Sequence, residues 1–139
     1  MINFSILILL YVAILVGAVI HEFGHFGKMK ISWIPFNSYT INPKFFGFYS
    51  LIPEIAIFIG ISYFKPEIVF LNYLALVLYL HIIYSTIFGY FGISLGSHNI
   101  TPDNYKNKLA LIVGIGLSIY YFNIYYPFAI QTLRSLLGT

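Results

Sequence analysis

FSILILLYVAILVGAVI, from Phe4 to Ile20, carries no charged side chain and runs on through Phe23 and Phe26, giving the roughly 20 apolar residues that a helix needs to cross a bilayer. Three further apolar stretches lie beyond it. Phe45 to Phe64 is interrupted by Pro53 and Glu54, and Ile68 to Ile93 is long enough to span with some tilt. Leu109 to Ile130 is also sufficient, with Pro127 expected to bend or end it. The 139 residues are 60% hydrophobic and only 8% charged, where a soluble domain has about a quarter of its residues charged. The expected fold is an all-α, multi-pass integral membrane protein. It has about four transmembrane helices in one domain, residues 1–139, with a short irregular or β-hairpin segment after the first. The first stretch does not read as a cleaved signal peptide, because no basic residue precedes it and no A-x-A-like site comes after it.

With no cysteine, the chain has no thiolate nucleophile or thiolate ligand, so any metal must be held by His, Asp, Glu or backbone oxygen. A net charge of +3 on seven Lys and Arg is too sparse for a nucleic-acid surface. The partner it does imply is the lipid bilayer, with aromatic residues such as Tyr120, Tyr121, Tyr125 and Tyr126 forming an interfacial belt.

Lys28, Lys30 and Lys44 fall between the first and second stretches, and Lys106 and Lys108 between the third and fourth. The positive-inside rule therefore places both connections in the cytoplasm and the N-terminus outside, with Arg134 one charge against the rule. HEFGH (21–25) ends the first helix and TPD (101–103) opens the fourth, so both are expected near the cytoplasmic face. Between them ISWIPFNSYTINPKF, Ile31 to Phe45, is punctuated by Pro35 and Pro43 and rich in residues that favour extended backbone. A hairpin at the membrane surface is expected there.

His21 and His25 are four residues apart, so on a helix both imidazoles lie on one face and can reach one tetrahedral Zn²⁺. Glu22, beside the first of them, is placed to contact a water at the metal and to take its proton. Ionisable groups in an apolar helix each cost about 2 kcal/mol or more in hydrocarbon, so such a cluster is read as functional by default. A pair of interfacial histidines with a snorkelling Glu is the plain structural reading.

A third ligand has several candidates. Asp103 is the only aspartate and lies on the expected side, but Thr101-Pro102-Asp103 is also a good helix start. His98 sits on the same loop. His81, near the middle of the third stretch, is expected to lie too deep for such a site and to bond a helix carbonyl or line a polar path. Glu54 reads either as a polar residue of a substrate groove or as an outer group supporting the ligands.

HEFGHFGKMK, His21 to Lys30, resembles the site-2 protease family of intramembrane zinc metalloproteases, in which an HExGH core ends an apolar helix. The resemblance implies a third zinc ligand from an Asp on a later transmembrane segment. Asn99-Ile100-Thr101-Pro102-Asp103 is similar to a shortened form of that family's motif of an Asn, a Pro and then an Asp followed by Gly, with Asn104 where the family has Gly. On this reading His21, His25 and Asp103 hold Zn²⁺, Glu22 is the catalytic base, and Asn99 steadies the oxyanion or the substrate backbone. The implied function is an intramembrane zinc endopeptidase acting on a transmembrane segment of another membrane protein. That segment would be unwound and taken as a strand by Ile31 to Phe45. Two alternatives stand beside it: a zinc-binding membrane protein without hydrolysis, and a small channel or carrier using His81, Glu54 and the His21 cluster as a polar path.

Overall fold

The computed structural model describes residues 1–35, 37–45, 48–91 and 105–139. Among these are five α-helices: α1 (Phe4–Gly24), α2 (Phe48–Phe64), α3 (Val69–Ile83), α4 (Tyr105–Tyr120) and α5 (Phe122–Leu137). A π-helical turn, Tyr84–Phe88, extends α3, and two short strands, β1 (Lys28–Lys30) and β2 (Tyr39–Ile41), come after α1.

The Asn3 side chain accepts from the amides of Ser5 and Ile6, satisfying donors that the first turn of α1 cannot pair internally. Between α2 and α3 the chain reverses at Lys65, whose φ of 46° is the left-handed conformation that commonly closes a helix. Helices α1 and α3 run side by side in the same direction, since Gly17 faces Val77 and His21 faces His81. Helix α2 runs back between them, with Glu54 at the level of His81 and Phe58 at the level of Tyr79.

Helix α3 is the centre of the bundle. Half of the Val69–Phe88 span is buried, against 17% of α1, so α1 is a peripheral helix with most of its surface turned outward. Tyr73, Leu74, Leu78, Tyr79 and Ile82 of α3 pack with Ala13, Phe58 and Tyr125 to form the core. α4 approaches the π-helical turn so closely that a Cβ on Gly114 would lie 1.9 Å from the Thr86 hydroxyl.

The expectation of four transmembrane helices is not met. Among the described residues only α1 and Val69–Phe88 are long and apolar enough to cross a membrane, or three segments if α4 and α5 form one broken span. The second stretch shortens because Phe45 belongs to the connection that returns to α1, and the helix begins only at Phe48, leaving 17 residues. The fourth stretch breaks at Tyr121, not Pro127, with a bend of 71° between Lys108–Tyr120 and Phe122–Leu137. There the chain turns to lay Tyr125 against Phe58 and Tyr79, with ring centroids 5.2 and 5.0 Å apart. Pro127 sits inside α5, where it removes one backbone donor without ending the helix.

β1 and β2 pair antiparallel in the register Lys28↔Ile41, Met29↔Thr40 and Lys30↔Tyr39. Strand alternation turns the central pair, Met29 and Thr40, inward and leaves the flanking residues exposed. The connecting residues fold back along α1, where the Tyr11 hydroxyl donates to the Trp33 carbonyl. Tyr11 lies about 15 Å along the helix from His21 at 1.5 Å per residue. The hairpin tip therefore flanks the apolar part of α1 instead of projecting beyond its end.

Candidate metal centre

The last turn of α1 is held in place by the segment just beyond it. Phe26 has a φ of 52°, a left-handed conformation that costs a bulky residue roughly 1–2 kcal/mol and turns the chain sharply into β1. The returning segment offsets that strain: Lys44 and Phe45 donate their amides to the His25 carbonyl at 2.7 and 3.2 Å. Gly24 admits α2, since a Cβ there would stand 1.9 Å from the Ser50 carbonyl oxygen.

These contacts decide the tautomers of both histidines. The Nδ1 of His25 lies 2.9 Å from the Phe45 carbonyl oxygen, which can only accept, so Nδ1 carries the proton. The Nδ1 of His21 lies 2.7 Å from Glu54 Oε1 and donates to that carboxylate. A neutral ring that carries its proton at Nδ1 presents a lone pair at Nε2, and the two Nε2 atoms converge to 3.2 Å. Two nitrogen ligands of a tetrahedral ion with bonds of 2.0–2.1 Å stand about 3.3 Å apart, so the spacing suits one shared Zn²⁺. A Glu22 carboxylate oxygen lies within 4.8 Å of a ring nitrogen of each histidine. Thr40 reaches across from β2 and donates to Glu22 Oε2 at 2.5 Å, with the Glu22 carbonyl oxygen 3.2 Å away.

A second polar layer lies behind His21. Glu54, fully buried on α2, accepts from His21 Nδ1 with Oε1 and from His81 Nδ1 with Oε2, at 2.7 and 2.8 Å. The Ser85 hydroxyl donates to His81 Nε2 at 3.3 Å from the first turn of the π-helical segment. The expectation that His81 lies too deep is therefore wrong: its ring centroid is 4.8 Å from that of His21. Counting residues from the ends of an apolar stretch ignores how far neighbouring helices slide past one another, and that offset puts both rings in one layer.

His21, Glu22 and His25 come together, and Glu54 and His81 join them from two other helices. Asn99, Asp103 and the alternative ligand His98 lie outside the described residues. Thr40, Ser85 and the Phe45 carbonyl were not singled out by sequence reasoning. For Thr40 no local signal exists, since the hairpin alone brings it to Glu22. Ser85 stands four residues after His81, a spacing that could have been noticed on one helix face. No protein family, characterised protein or solved structure matches this chain. The chain is thus a mostly helical, membrane-associated protein with a His/Glu cluster able to coordinate a divalent metal such as Zn²⁺. The nitrogen and oxygen donor set, with Nδ1 of each histidine engaged by an acceptor and the two Nε2 atoms turned toward each other, fits that ion.

Proposed function

We propose that this chain is an intramembrane zinc endopeptidase. The observation that carries the reading is the convergence of the His21 and His25 Nε2 atoms at 3.2 Å with the Glu22 carboxylate beside them. His21 and His25 hold the metal, and Asp103 is the proposed third protein ligand, with Asn99 beside the substrate. Zinc, when bound, supplies the Lewis acidity that makes water nucleophilic near neutral pH and polarises a carbonyl. Glu22 takes a proton from a water in the site and returns it to the leaving amine, while the Thr40 hydroxyl fixes the carboxylate's orientation.

A substrate amide inside a helix is hydrogen-bonded and covered, so it must be presented as an extended strand. An open groove of about 490 Å³ beside the last turn of α1, lined by Phe23, Phe26, Met29 and Ile41 among others, receives an apolar side chain of that strand. The substrate is accordingly a transmembrane segment of another membrane protein, and the positive-inside rule puts the site near the cytoplasmic face.

One observation favours a zinc-binding membrane protein without hydrolysis. The Thr40 hydroxyl donates to Glu22 Oε2 at 2.5 Å, which gives Glu22 a structural role, tying the end of α1 to the hairpin, that needs no hydrolysis. Channel and carrier readings fare less well, because His21, Glu22, His25, Glu54 and His81 gather at one end of α1 and do not line a path along it. The deciding experiment places the purified chain and a transmembrane peptide in the same liposomes and seeks cleavage products by mass spectrometry. A peptidase gives zinc-dependent products that Glu22→Gln reduces at least about 100-fold while keeping its zinc. A zinc-loaded wild type that cleaves no peptide in a broad panel favours the non-hydrolytic reading.

A further inference from the structure

We propose that Glu54 and His81 are positioning residues for the metal centre: clamped between the two histidines, the Glu54 carboxylate holds the His21 ring with its Nε2 facing the ion. The proposal rests on the reading of His21 and His25 as zinc ligands and deepens it.

An imidazole at the end of an apolar helix has a broad torsional freedom about its second side-chain bond, and either ring nitrogen can face outward. Glu54 removes that freedom by accepting the Nδ1 proton of His21 at 2.7 Å. A lone glutamate would itself be mobile, but His81 takes its second oxygen at 2.8 Å, so each oxygen has its own donor. His81 is in turn fixed by the Ser85 hydroxyl and by edge-on contact with the His21 ring, at an interplanar angle of 74°. The π-helical turn that carries Ser85 begins three residues after His81, and such turns are frequent at functional sites. A carboxylate with no exposed surface, held between three helices, is an expensive way to join apolar helices that already pack well. Its oxygen accepts at Nδ1, the ring nitrogen that would not bind the ion, where a carboxylate raises the donor strength of a metal-binding histidine.

The same three residues do not read as a second metal site. Their N···O distances of 2.7 and 2.8 Å are those of hydrogen bonds, whereas nitrogen and oxygen ligands sharing one tetrahedral ion lie about 3.3 Å apart.

The test is zinc affinity of the full chain in detergent, measured by competition with a chromophoric chelator, beside the visible spectrum of the cobalt-loaded protein. Glu54→Gln is expected to weaken zinc binding about 10- to 100-fold and to shift the cobalt bands. His81→Leu is expected to weaken it by about tenfold or less. His81→Asn, whose amide can donate from near the position of Nδ1, should recover most of that loss. Wild-type affinity and an unchanged cobalt spectrum in Glu54→Gln would overturn the proposal. So would two metals per wild-type chain with one lost in His81→Leu, which would make the cluster a second site. If Glu54→Gln does not fold, the pair at position 81 decides: equal affinities for Leu and Asn overturn the positioning role, and rescue by Asn supports it. A wild type that binds no zinc removes the underlying metal reading itself, an outcome distinct from zinc binding that ignores Glu54.

Discussion

The two histidines of one helical turn are held in opposite ways. His21 is buried and anchored by a side chain, Glu54, which belongs to a chain of hydrogen bonds reaching His81 and Ser85. His25 is half-buried and anchored by a main-chain carbonyl, that of Phe45, at the far end of the hairpin segment. The inner half of the centre is therefore made of chemistry that mutation can erase. The outer half is made of chain path, and it stands or falls with the hairpin. One helix supplies both ligands, yet their orientation comes from different layers of the structure.

That contrast predicts its sharpest break at the ligands themselves. His21→Ala and His25→Ala should both abolish zinc binding, but His21→Ala leaves a fully buried carboxylate short of one donor and should cost about 3 kcal/mol or more of stability. His25→Ala, at a half-buried position, should cost about 1 kcal/mol. Thermal unfolding of the metal-free proteins in detergent measures the gap, and equal losses would erase the distinction between inner and outer halves.

Gly24→Ala comes next. Its Cβ would meet the Ser50 carbonyl at 1.9 Å, and backbone can yield only by moving α1 away from α2. A loss of about 1–3 kcal/mol is expected, together with weaker zinc binding, because the movement withdraws Glu54 from His21. If stability falls while zinc affinity is untouched, the inner half tolerates helix displacement and its coupling to the ligands is weaker than proposed.

The outer half is probed by Thr40→Val, which keeps the side-chain shape and deletes the donor to Glu22. It should cost about 1 kcal/mol, leave zinc content unchanged and alter hydrolysis alone. Loss of zinc in this variant would make Glu22 a ligand dependent on Thr40, in place of a base oriented by it. Tyr11→Phe should have the smallest effect: it releases the hairpin tip from α1, costs about 0.5–1.5 kcal/mol and leaves zinc affinity unchanged. Proteolysis at the tip should rise in that variant, and a fall in zinc affinity would show that the tip supports the Phe45 carbonyl.

The HEFGH spacing was legible because the helix repeat alone puts His21 and His25 on one face, whatever surrounds them. Glu54 could be flagged because an ionisable residue in an apolar stretch demands a partner, but the partner could not be identified. His81 was misjudged for the reason that the span count was: apolar run lengths report hydrophobic content, not where a helix begins, breaks or slides. Phe45 is apolar yet serves the loop, and Tyr121 is as apolar as its neighbours yet marks a 71° bend. Thr40 and the Phe45 carbonyl were invisible because they act through a reversal set by Phe26, a residue type that seldom takes a left-handed conformation.

The most direct test of the metal centre is the zinc content per chain of full-length protein, purified in detergent without chelator and measured by elemental analysis beside His25→Ala. About one zinc per wild-type chain and none in the variant is the predicted result. A wild type devoid of zinc, or equal content in both proteins, would contradict a centre built on His21 and His25.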